Sequence, residues 1–345
     1  MSRLRSLLLP VLLLGCAPFV RGQIAFDFGD TSGLDLNALA GFQKARARWE
    51  AQLSDPITVK IDIGYAALAP GVLAQAGAEL EVIAYDDFKA TMAADRTSAN
   101  DFTAVASLPA GFMSGGFLSF NVLLNRTVES PGATPYTGLS SALAISRANA
   151  RALGFITTGR DGAITFSSNS NWDFNPDDGI EAGKFDFVGA ATHEIGHVLG
   201  FISGVDFLDQ AEVTDLPLEA DTYQTPIDMF RFSTGSSLID GTADSRLKFF
   251  SINGGVTTLA EFSRGVVYGG DARQASHWGD DLGIGIMDPT ASPGELMAIS
   301  AMDLVAFDVM GYNLTSVPEP ADVALWVSVV AAGAAVVRRR RKKTV

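Results

Sequence analysis

The chain has 345 residues, of which 47% are hydrophobic, 19% charged and 9% aromatic. That is enough apolar content for one large or two ordinary domains, and it excludes a disordered, collagen-like or polytopic membrane protein. The formal charge is −14, but nine of the 25 basic residues stand at the ends (Arg3, Arg5, Arg21 and 338–343), which leaves residues 23–337 at −23. A body this acidic argues against nucleic acid as a partner and suits solubility or divalent-cation binding.

Residues 1–22 have the layout of a secretory signal peptide. Basic Arg3 and Arg5 precede an apolar run over 7–14, and Val20-Arg21-Gly22 leads to Gln23 as the expected first mature residue. The run is too short to span a bilayer comfortably. Leu13-Leu14-Gly15-Cys16 resembles a lipoprotein signal more loosely, and a buried N-terminal segment is the remaining alternative. Cys16 is the only cysteine, so removal of the leader leaves no residue able to form a disulfide.

Residues 37–52 carry Ala38, Leu39, Phe42, Ala45 and Trp49 at helical spacing. Residues 57–65 alternate Ile57, Val59, Ile61 and Ile63 against Thr58, Lys60 and Asp62, the pattern of a half-buried strand. Short strands are expected over 120–124 and 163–167 and a helix over 146–153, an α+β mixture with a sheet and at least two long helices. Residues 171–183 crowd Asp173, Asn175, Asp177, Asp178 and Glu181 around Gly179. Alternating oxygen side chains of this kind suit Ca²⁺, with Asp173, Asn175 and Asp177 as its ligands, although the EF-hand spacing fails; a solvated acidic loop is the competing reading.

Residues 186–201 read DFVGAATHEIGHVLGF, a helix with Asp186 as N-cap and Gly200 as its stop. It is apolar enough to be largely buried, yet it carries His193, Glu194 and His197, which need compensation there. Two histidines four apart lie on one helix face, where both rings reach a single Zn²⁺, and Glu194 projects beside the ion. This is the H-E-x-x-H arrangement, whose bland alternative is a pair of hydrogen-bonded core histidines.

A hydrolytic zinc site needs a third protein ligand. His277 is the only other histidine, and Asp206, just past Gly204, is its competitor. Residues 206–275, the segment that the family resemblance described below makes an insertion, look β-rich, with a strand over 248–252. Trp278 follows the candidate ligand, Met287 lies in a turn before Asp288-Pro289, and 300–311 reads as a helix opened by a Ser300/Asp303 capping box. The tail, 317–345, runs from Val317-Pro318-Glu319-Pro320 through an apolar stretch to a basic cluster.

The sequence HEIGHVLGF, a long insertion, then a histidine followed by Trp and a downstream Met resembles the leishmanolysin-like metzincins. The compact metzincin pattern would put the third histidine at position 203, where this chain has Ser203. The resemblance implies a metzincin-like zinc peptidase fold over residues 23–316. It makes His193, His197 and His277 the metal ligands, Glu194 the general base acting on a zinc-bound water, and Met287 the Met-turn residue. It also implies an edge strand that pairs with extended substrate, for which 163–167 is the candidate. The tail resembles the PEP-CTERM sorting signal, which implies an exosortase-type processing enzyme and transient inner-membrane anchoring of an exported bacterial precursor; an ordinary tail anchor is the alternative. The expected activity is that of a secreted metalloendopeptidase acting on proteins or peptides. The rivals are an exported surface- or matrix-associated binding protein with a structural or vestigial metal site, and a zinc hydrolase acting on a non-peptide bond.

Overall fold

The computed structural model describes residues 23–125, 134–214 and 224–315. The signal peptide expected over 1–22 and the sorting segment expected over 317–345 lie outside these residues. No helix among the described residues is long and apolar enough to cross a membrane.

The chain is α+β, as its patterning predicts. In order, the elements are β1 (Ala25–Asp27), α1 (Leu36–Glu50), β2 (Thr58–Ala66), β3 (Ala74–Ala78), β4 (Leu80–Ala84), α2 (Tyr85–Asp95) and α3 (Ala99–Ser107). Then come β5 (Phe112–Ser114), β6 (Phe117–Leu124), β7 (Tyr136–Ser140), β8 (Ala142–Ser146), α4 (Arg147–Ala152) and β9 (Gly162–Ser167). β10 (Trp172–Asp173) and β11 (Phe185–Asp186) lead into α5 (Phe187–Leu199) and α6 (Gly204–Thr214). The second half holds β12 (Arg231–Ser233), β13 (Ile239–Asp240), β14 (Lys248–Phe250), β15 (Ala260–Phe262) and α7 (Ala301–Val309).

The sheet beside the site has the order β1-β2-β9-β3, with β1, β2 and β9 parallel and β3 antiparallel at the edge. In β2 the alternation holds: Val59 and Ile61 are buried while Thr58 and Asp62 are exposed. α1 starts where Asp35 caps the amides of Asn37 and Ala38, and its apolar stripe Ala38, Phe42, Ala45 and Trp49 is fully buried. That stripe meets α5. Phe187 packs on Phe166 at 4.4 Å and on Phe42 and Trp172 at 5.4 Å between ring centroids. A Cβ at Gly41 would lie 2.3 Å from the Phe187 ring, so glycine is what lets α1 come this close. Burial of each such ring contributes roughly 1.5–3 kcal/mol, so this seam is a principal source of α5's fixed position.

The segment 206–275 opens with most of α6 and only then turns to strands. β12, β14 and β15 form an antiparallel sheet, while β13 pairs in parallel with β6 of the first half, so the segment is knitted into the body. Fully buried Lys248 is paired with Asp240 at 3.0 Å and Asp244 at 3.1 Å, which keeps its charge compensated.

The last described residues fold back on the end of α1. Ser54 N–H donates to Asn313 O at 2.7 Å, and Asn313 N–H donates to the Asp55 carboxylate at 3.0 Å. Burial pushes the Asp55 carboxyl up to about 7, against the opposing Asn313 hydrogen bond and with added repulsion from Asp95. A folded-state value above the usual carboxylate range means that the folded chain holds this proton more tightly than the unfolded one. The stabilisation is complete at pH below the unfolded value and is lost as pH rises through about 7. The melting temperature of Asp55→Asn should therefore gain on that of the parent between pH 4 and pH 8; a difference that stays constant over that range would contradict this account.

Candidate metal centre

α5 begins and ends where its sequence predicts. Asp186 accepts the Gly189 amide at 2.8 Å, and its second carboxylate oxygen accepts the Met297 amide at 3.2 Å. Gly200 adopts the left-handed conformation that stops the helix, and Tyr312 donates its hydroxyl to Leu199 O at 2.7 Å. Of the thirteen residues of α5, all but Glu194 and His197 are buried. Both point into a cleft of about 940 Å³ that His193 and His277 also line.

His277 comes from 80 residues downstream of His197 to meet the helix. The three Nε2 atoms form a triangle with edges of 3.0 Å (His193–His197), 3.2 Å (His197–His277) and 3.3 Å (His193–His277). Each ring's Nδ1 faces a backbone carbonyl: Ile286 O at 2.7 Å for His193, Phe201 O at 2.8 Å for His197, and Gln274 O at 3.2 Å for His277. A carbonyl only accepts, so Nδ1 carries the proton and every Nε2 presents a lone pair. Burial lowers the pKa of His193 to about 4 and of His197 to about 3, and holds His277 well below the usual histidine range. The rings are therefore neutral at physiological pH. Three lone pairs converging on one point without a hydrogen among them repel one another unless a cation lies between them, so this group can hold a metal ion.

Glu194 stands in the cleft wall beside the triangle, where burial pushes its carboxyl up to about 8. Met287 lies behind the helix, fully buried. A Cβ at Gly196 would meet its sulfur at 2.6 Å, so the glycine between the two helix histidines makes room for the methionine. The Met287 carbonyl accepts the Trp278 amide at 2.9 Å, and the neighbouring Ile286 carbonyl is the one that orients His193. Asp303 holds this arrangement to α7. Its carboxylate accepts from Trp278 Nε1 and the Ile286 amide, each at 2.8 Å, while it completes the capping box with Ser300. Trp278 is a packing residue, stacked on Phe262 at 4.9 Å and edge-on to Phe201.

Other sequence expectations fare differently. Asp206 is not in the triangle; both its oxygens accept hydrogen bonds from Ala275 and Ser276. Asp173, Asn175 and Asp177, expected as calcium ligands, are engaged with groups of the chain itself. Asp173 accepts the amides of Asn175 and Glu181, while the Lys44 ammonium sits against Asn175 at 3.0 Å and Asp177 at 2.7 Å. A different trio, Asp280, Asp281 and Asp288, lies within 4.8 Å, with Arg273 and Thr290 bonded to Asp280 at 2.8 Å each.

The strand over 163–167, expected to be the sheet edge, is β9, flanked by β2 and β3. The edge belongs to β3, with the sequence AQAGA, which lines the cleft along its whole length. Leu73 O accepts from Ser167 N and Glu79 N donates to Asp161 O, each at 2.8 Å, which fixes the phase of the ladder. Residues 73, 75, 77 and 79 turn their amides and carbonyls to β9, and Ala74, Ala76 and Ala78 turn theirs to the free edge. Alanine and glycine have weak strand propensity and no alternation, so pattern reading passes over this segment.

No family of known proteins, no curated protein and no solved structure matches the chain. The purified chain should take up one divalent transition-metal ion, measured by elemental analysis after dialysis. His277→Ala should weaken that uptake by orders of magnitude; full retention would show that the distant ring is not a ligand.

Proposed function

We propose that the chain is an exported zinc metalloendopeptidase of metzincin type. The observation that carries this reading is the triangle of bare Nε2 atoms opening onto a cleft beside Glu194. An ion bound tetrahedrally at 2.0–2.1 Å sets its nitrogens about 3.3–3.4 Å apart. The edges of 3.0–3.3 Å lie close to that, and an all-imidazole donor set suits zinc. A purely structural site is closed by four protein ligands and has no use for a carboxylate in the cleft wall. Here the group among the described residues has three members, and Glu194 adjoins it.

His193, His197 and His277 would hold the zinc, which when bound supplies a Lewis acid beside the scissile carbonyl. The chain's own residues account for the rest. Carbonyl partners on all three Nδ1 atoms fix the rings before any ion arrives. A cation so near opposes the burial that raises the Glu194 carboxyl, favouring the carboxylate. Glu194 then accepts a proton from the attacking water as the new C–O bond forms, and returns it to the amine that leaves as C–N breaks. The free edge of β3 offers the amides and carbonyls of Ala74, Ala76 and Ala78 to an extended peptide, which would add as a further strand. The burial of Met287 against α5 is consistent with the Met-turn role that the resemblance implies. The signal-peptide layout of 1–22 supports export, and the tail resemblance supports a surface or extracellular destination.

The purified chain should digest casein, lose that activity to a chelator and regain it with Zn²⁺. Glu194→Gln should keep its zinc while turnover falls by about 10²–10⁴-fold. Undiminished turnover in that variant would remove Glu194 from the mechanism.

A further inference from the structure

The third histidine is far away in sequence; Gln274 O orients its ring, and its own carbonyl accepts the Ser263 amide at 3.0 Å. The tie from this segment to the turn after α5 is a chain of polar contacts through Ser276. Asp206, in the first turn of α6, accepts the amides of Ala275 at 2.6 Å and Ser276 at 2.8 Å, and the Ser276 hydroxyl also donates to it. The same Ser276 Oγ accepts the amide of Ser203 at 2.8 Å. Ser203 lies six residues past His197, and its own hydroxyl donates to buried Asp228 at 2.6 Å. Asp228 also accepts the amides of Gly204 at 2.8 Å and Thr225 at 2.9 Å. One turn along α6 from Asp206, Asp209 accepts the Val266 amide at 2.6 Å, so a second carboxylate grips the returning segment nearer its start.

We infer that Asp206 and Ser276 form a latch that positions His277, making them positioning residues for the metal centre. The inference rests on the reading that the three histidines hold a metal. The latch joins the residue before the third ligand to the turn that follows the helix ligands, so one serine hydroxyl links the two halves of the ligand set, beside the link through Ile286 and Met287. Asp206 is placed to do this because both its oxygens are taken up by backbone and hydroxyl donors of 275–276. Deleting either member leaves all three imidazoles in the chain and removes the tie between residue 276 and the turn after α5, while Ser263, Met287 and Asp303 still hold residues 277–278. Loss of an outer partner of this kind lowers metal affinity by roughly 10- to 100-fold.

The test is a double-mutant cycle read as zinc affinity by chelator competition, with the visible spectrum of the Co²⁺-loaded chain as a measure of coordination. Asp206→Ala and Ser276→Ala should each weaken zinc binding by roughly 10- to 100-fold and alter the Co²⁺ spectrum. In the His277→Ala background the same substitutions should cause no further loss, because the ring through which they act is gone. Parental affinity in both single variants would overturn the latch, and so would an equal loss in both backgrounds, which is what general loosening of the fold produces. Should Asp206→Ala fail to fold, Ser276→Ala carries the same comparison. Absence of zinc binding by the parent would instead overturn the metal reading, and the latch with it.

Discussion

Three neutral imidazole nitrogens held 3.0–3.3 Å apart form an unfavourable arrangement in a chain without an ion, and the rest of the structure is organised around imposing it. Burial keeps the rings uncharged, and backbone carbonyls on the far side of each ring fix which nitrogen is bare. Neither condition suffices alone. A protonated ring would point a hydrogen at its neighbours, and a freely rotating one would turn away. The close seam between α1 and α5, with Trp49 Nε1 donating to Thr192 O at 2.8 Å, supplies the rigid side of the arrangement.

The other side is made of loops, and buried aspartates do the fastening. Asp186 ties the start of α5 to Met297, Asp303 ties Trp278 and Ile286 to α7, and Asp228 gathers the turn after the helix. Each accepts several N–H or O–H donors, which offset part of the cost of burying a carboxylate; Arg48 near Asp186 and Arg231 near Asp228 act in the same direction. No cysteine stands in the described residues, so these hydrogen-bonded carboxylates, not disulfides, tie the loops together there.

Much of this is legible in the sequence, and the divide is physical. Helix α5 could be read with its cap and its stop because short-range rules govern both: Asp186 and Gly200 act within a turn of where they stand. His277 could be favoured over Asp206 because Met287 follows it where the resemblance puts the turn, and the structure brings its ring to the two helix histidines. Asp206 was a reasonable competitor as a ligand by its position; the structure gives it a different duty because its oxygens are already engaged. The acidic loop at Asp173–Asp177 shows the same limit, since Lys44 arrives from 133 residues away to pair with Asp177. Most hidden was β3. Ala-Gln-Ala-Gly-Ala carries no side-chain signal for a strand, and its status as an edge depends on sheet order, a property no local window contains.

That plain strand bears on what the cleft would admit. Ala74, Ala76 and Ala78 offer main-chain atoms and little else, and beyond Gly77 there is open space. Under the proposed activity, selection would then fall on conformation before residue identity. A candidate stretch must straighten over several residues to dock, which helices and paired strands in folded proteins resist and frayed termini or damaged regions do not. Such an enzyme would discriminate between intact and unravelled polypeptides without consulting their side chains.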